Sequence, residues 1–172
     1  YSFLTAKWHQ NIVRNSENEP EQVISVEFTD DINEEEFLSK LSISSFVLSS
    51  KENSYLRNGG KFTKEFKQKI GFKKIKYKLL PNKEDHSKFF NVVVDIPENH
   101  YVHIGIDEKL TSINNFIIPN SIGDYAQVPT YPREVNIVGE GSILTHTGNK
   151  KLSILTRGLS ELKYSVRRLQ DE

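Results

Sequence analysis

The sequence predicts one compact α+β domain, with N-terminal helices packed on a mostly antiparallel mixed β-sheet core. Three observations predict it. Apolar residues four apart, first Leu4, Trp8 and Ile12 and then Phe62, Phe66 and Ile70, mark two amphipathic helices in the first half. Past Gly71 the apolar period becomes that of a strand, with every second residue apolar. The last third carries short β-type runs separated by glycine turns. Helices gathered ahead of strands indicate segregated α and β elements without βαβ alternation.

Taken in order, a helix is expected over residues 2–14, ended by the polar stretch 15–22 that contains Pro20. Ile24, Val26 and Phe28 alternate as a half-buried strand does. Asn33 with Glu36 resembles a capping arrangement ahead of a short apolar face of Phe37, Leu38 and Leu41. Residues 44–54 are serine-rich and fit more than one element, and Gly59-Gly60 marks a turn. A second helix over 61–70 stops at Gly71. Ile75, Tyr77 and Leu79 then alternate with lysines, and Phe90, Val92, Val94 and Ile96 form the strongest strand face. Pro97 to Asn99 turns the chain into an extended segment from Tyr101 to Ile106.

Residues 107–132, with three prolines and no sustained period, read as an irregular surface excursion. Short strands follow at 134–138, 142–147 and 152–156, with turns at 139–141 and 148–149 forming a meander. The central strand at Phe90 is expected to pair with 134–138. Leu159, Leu162, Val166 and Leu169 suggest a closing helix. The domain is thus expected to span 1–172, with 1–22 a leading helix and linker and 158–172 a helix leading into another domain.

Composition narrows the function. The 172 residues suit one domain with a real core. Hydrophobic residues make up 36% and charged residues 27%, which is globular rather than disordered. Lys plus Arg and Asp plus Glu number 23 each, so no global pull toward nucleic acid or an anionic membrane is expected. The charges are segregated nonetheless. Residues 17–36 are acid-rich, and 61–78 carry eight lysines. The absence of cysteine removes disulfides, thiol nucleophiles and thiolate metal sites. A chain with no methionine that starts at Tyr1 reads as a processed protein or as part of a larger one. No run approaches the ~20 apolar residues of a membrane span.

Several short stretches resemble the toxin ADP-ribosyltransferases, including the enzyme components of clostridial binary toxins and the middle domain of anthrax lethal factor. They are Val23 to Phe28, Arg57 to Phe66, Gly71-Phe72 to Lys76, Phe89 to Val102, Arg133 to Ser142 and the hairpin 143–155. The resemblance implies a secreted bacterial toxin or effector, able to act in a host cytosol. It also implies an NAD site in which an arginine, a Ser-Thr-Ser strand and a glutamate do the work. Glu134 takes the place of the catalytic glutamate. Glu27 stands where the arginine belongs, Lys74 to Lys76 replace the serine strand, and Pro132 replaces the acceptor-orienting residue.

The expectation is therefore a non-catalytic module with no cofactor, binding a protein partner such as a delivery subunit or a host protein. The alternative is a divergent, active NAD-dependent mono-ADP-ribosyltransferase, with Glu134 catalytic and Arg14 holding the phosphates beside Ser44-Ser45 or Ser49-Ser50.

Lys61, Lys64, Lys67, Lys73 and Lys74 are candidate partner-contact residues. Their spacing equally fits a solvated face over a core. Neither nucleic acid nor stable membrane insertion is expected. His100 and His103 stand three apart, which puts them on opposite faces of an extended segment, so no metal site is expected.

Overall fold

The computed structural model describes residues 3–138 and 153–165, and the chain divides into two compact units, Tyr1–Thr130 and Tyr131–Glu172. In the first unit, one four-stranded sheet runs β1 (Ala6–Arg14), β2 (Pro20–Asn33), β6 (His86–Val94), β5 (Tyr77–Leu79). The other runs β4 (Lys73–Lys74), β3 (Leu41–Phe46), β7 (Tyr101–Ile106), β8 (Ile122–Gln127). Every neighbouring pair is antiparallel. Inward-facing residues of both sheets, among them Ile24, Val26, Phe90, Val92, Ile43, Val102 and Ile104, form one buried cluster. That is a β-sandwich, two sheets closed on a shared core. The α+β expectation gives way to it.

The leading helix is overturned first. Residues 6–14 form β1, paired with β2 in the register Trp8↔Val26 and Ile12↔Gln22. Positions 4, 8 and 12 share a face in a strand as well as in a helix. A helix needs apolar companions at i+3 and i+7, and Lys7 and Asn11 occupy those places. The expected linker is no linker either, since β2 starts at Pro20 and Gln22 is fully buried. Gln22 donates from Nε2 to the Ile96 carbonyl at 2.7 Å, and its Oε1 accepts from the Ile96 amide at 3.3 Å.

Between β2 and β3, helix α1 (Glu34–Lys40) carries the chain from one sheet to the other. Asn33 caps it by accepting from the amides of Glu35 and Glu36, and its first turn is acidic as the helix dipole favours. Phe37 stacks on Phe90 at 4.2 Å between centroids and meets Phe28 edge-on at 5.7 Å. Two further short helices, α2 (Ser50–Arg57) and α3 (Lys64–Lys69), lie in the excursion between β3 and β4. The expected helix over 61–70 therefore begins later, because Thr63 is its N-cap.

The lysine-alternating run also divides. Lys73 and Lys74 join β3 in one sheet, while Tyr77 to Leu79 join β6 in the other. Residues 107–132 are not a surface excursion. They contain β8, and Leu110, Ile118 and Val128 are buried. Trp8 Nε1 donates to Asp124 Oδ2 at 3.2 Å, linking the edge strands β1 and β8 across one flank of the sandwich.

In the second unit, β9 (Glu134–Val138) pairs antiparallel with β10 (Ser153–Arg157). The expected pairing of the Phe90 strand with 134–138 does not occur, since β6 lies between β2 and β5. The strand expected at 142–147 and both of its flanking turns lie outside the described residues. Of the closing helix expected over 158–172, residues 158–165 are not helical, and Val166 and Leu169 lie outside the described residues. Leu159 and Leu162 supply a single apolar pair there, too little to sustain a helix without burial, and Leu162 and Tyr164 are exposed.

Candidate protein-contact surface

The outer face of the second sheet carries the molecule's densest aromatic group. Strand alternation points Phe46, Tyr101, His103 and Tyr125 away from the sandwich core. Phe46 is nonetheless almost fully buried, at 1% exposure, because the 50–72 excursion folds back over it. Phe72 stacks on it at 5.4 Å and Phe62 meets it edge-on at 5.6 Å. Tyr101 stacks alongside at 5.8 Å. This second apolar cluster fastens the excursion to the sheet.

Local chemistry shapes the excursion. Ser49 and Glu52 form a reciprocal capping box at the start of α2. The Glu52 carboxylate also pairs with Lys69 at 3.3 Å, tying α2 to α3. Hydrogen bonds from the Ser49 backbone and hydroxyl, helped by Lys69, hold the Glu52 carboxyl below its usual range. Gly59, at φ 86°, supplies the left-handed turn after α2. A side chain at Gly60 would run into the Tyr55 ring, whose hydroxyl accepts from the Lys61 amide at 3.2 Å.

His103 sits inside this nest, with its ring 5.2 Å from both Phe62 and Phe72. It occupies space that Gly105 and Gly123 leave open, since a Cβ on Gly123 would come within 3.2 Å of its Nε2. Desolvation, and then the Lys67 charge, lower its pKa to about 4, with Asp124 pulling weakly the other way. The ring is thus neutral near pH 7.

A cleft of about 340 Å³ opens over the nest, lined by Phe62, Lys64, Lys67, Gln68 and Phe72. Lys67 Nζ lies 5.0 Å from the centre of the Phe72 ring, a cation–π contact. Of the five lysines singled out from sequence, Lys64 and Lys67 meet at this cleft. Lys61 is exposed just ahead of α3, and Lys73 and Lys74 are exposed on the short edge strand β4. The aromatic partners and His103 were not singled out in this role. Two signals bore on them: the Ser49-x-x-Glu52 box, and glycines at 105 and 123 within strand segments.

The residues that the toxin resemblance implies for an NAD site lie on separate elements. Arg14 ends β1 and donates to the Asn18 carbonyl at 2.7 Å, while Ser44 and Ser45 are buried in β3. Glu134 starts β9, opposite Arg157, in the second unit. Among the described residues no group of three or more His, Cys, Asp or Glu could hold a metal ion. No helix among them is long and apolar enough to cross a membrane.

No protein-family model and no solved structure matches the chain. Curated bacterial proteins do. The chain is 28% identical over 161 residues, 94% of its length, to an alpha-2-macroglobulin of Pasteurella multocida (strain Pm70). It is 23% identical over 169 residues to an alpha-2-macroglobulin of Rickettsia conorii (strain ATCC VR-613 / Malish 7). To an alpha-2-macroglobulin homolog of Yersinia pestis it is 26% identical over 86 residues, 50% of the chain. It spans only 8%, 9% and 4% of those proteins' lengths. These relatives, with the sandwich, overturn the resemblance to toxin ADP-ribosyltransferases and the toxin function drawn from it. The matching stretches were short and scattered, and such fragments do not carry a function with them. What the chain is similar to is a short stretch of bacterial alpha-2-macroglobulins, and its first unit is an antiparallel β-sandwich.

Proposed function

We propose that this chain is a non-catalytic, macroglobulin-like β-sandwich segment of a large bacterial alpha-2-macroglobulin-type protein, acting outside the cytoplasm in protease inhibition. One observation carries the reading. Similarity runs along 94% of the chain and maps it onto 8% of a far longer relative. A sandwich whose interior is filled by aliphatic and aromatic side chains suits a scaffold that positions surfaces for protein contact, and that role requires no cofactor. The partner class is protein, met through the α2–α3 excursion that carries Lys61, Lys64 and Lys67 and the adjoining edge strand β4 with Lys73 and Lys74.

The test uses the full polypeptide that contains this chain. Incubated with an active protease, it should retain the protease in a complex that co-elutes on gel filtration. The 172-residue chain alone should neither inhibit nor retain it. Stoichiometric inhibition by the isolated chain, or no retention by the full polypeptide, would overturn the proposal.

A further inference from the structure

We propose that the cleft between Phe62 and Phe72 binds an acidic peptide segment, seating one aromatic or large apolar side chain while flanking carboxylates meet Lys64 and Lys67. This goes beyond the scaffold role and does not rest on it. Three independent features support it.

The first is size. At about 340 Å³ the cleft is at the small end of ligand sites, enough for one large side chain rather than a cofactor. The second is preorganisation. Phe72 is stacked on the buried Phe46, and Phe62 touches Phe46, Phe66 and Phe72, so the apolar walls are fixed before a ligand arrives. Binding then orders few protein side chains, which is where much affinity is usually lost. The third is charge. Residues 50–78 hold ten Lys or Arg against two Glu, a net +8 in a chain whose total is zero. Neither Lys64 nor Lys67 has a carboxylate within salt-bridge distance among the described residues, whereas Lys69 is already paired with Glu52.

An acidic peptide fits these features better than nucleic acid. Phosphate recognition favours the arginine fork, and Arg57 is the one arginine in the segment. Base stacking needs open aromatic faces, and both Phe62 and Phe72 are half-buried, packed against neighbouring rings.

The test is a titration of the 172-residue chain with the synthetic heptapeptide EDEFDED, followed by NMR of the aromatic and amide resonances. The peptides QNQFNQN and EDEADED and a short oligothymidylate serve as comparisons. EDEFDED should shift Phe62, Phe72 and His103 resonances saturably, and more weakly as salt rises. Both control peptides should bind less tightly. The double variant K64E/K67E should lose roughly tenfold in affinity or more, with an unchanged circular dichroism spectrum, because both positions are at the surface. Phe62→Leu, which keeps the site apolar, should weaken EDEFDED and leave EDEADED unaffected. Equal binding of EDEFDED and QNQFNQN, tighter binding of the oligothymidylate, shifts mapped elsewhere, or no binding of EDEFDED at about 1 mM would each overturn the proposal.

Discussion

Acidification should destabilise the sandwich through a single ring, His103. Its folded pKa is about 4 against an unfolded value of 6.5. Well above pH 6.5 the ring is neutral in both states and contributes no pH dependence. As pH falls below that, the unfolded chain takes up a proton that the folded chain refuses, so stability drops until the folded ring also titrates near pH 4. The groups acting on the ring are Lys67 on α3, which opposes its protonation, and Asp124 on β8, which favours it. Tyr125 is its direct cross-strand neighbour. Between pH 7 and 5 the loss is roughly 2 kcal/mol without screening, and about 1 kcal/mol allowing for the water that reaches a half-buried ring. The lowered carboxyls, Asp30 and Glu52, titrate below this window, so they leave it clear. Urea denaturation followed through Trp8, the one tryptophan, reads the effect directly. His103→Phe should flatten the dependence between pH 7 and 5, since the space beside Gly105 and Gly123 accepts a ring of similar shape. Equal losses in the parent and the variant would refute the reasoning.

Other changes test the fold. Phe90→Ala removes a fully buried ring that stacks on Phe37 and should cost roughly 3–5 kcal/mol, so an unchanged melting temperature would contradict the core assignment. Gln22→Leu strands the Ile96 amide and carbonyl in an apolar site, and should cost roughly 2–4 kcal/mol with faster hydrogen exchange at Ile96. Ser49→Ala breaks the capping box and should cost about 1 kcal/mol, read as reduced protection of the α2 amides without loss of the sandwich.

The sequence by itself determined several elements. Tyr101–Ile106 is a strand with the expected bounds, Asn33 caps a helix whose Phe37 is buried, and Ile24, Val26, Phe28, Phe90, Val92 and Val94 face the core. Each is legible because period and one-sided burial go together over a few residues, as does a cap with the amides beside it. Tertiary structure alone decided the rest. Leu4, Trp8 and Ile12 satisfy both periods, and only pairing with β2 makes the segment a strand. The residues around 73–79 have one local pattern, yet they serve two sheets. In 107–132, Gly123 and Asp124 interrupt the apolar alternation of β8, because one makes room for His103 and the other receives Trp8. The aromatic nest beneath the cleft joins Phe62 and Phe72 of the excursion to Phe46 of β3 and His103 of β7, from separate parts of the chain. No local period encodes such a meeting, because it follows from how the excursion folds back on the sheet once the sandwich has formed.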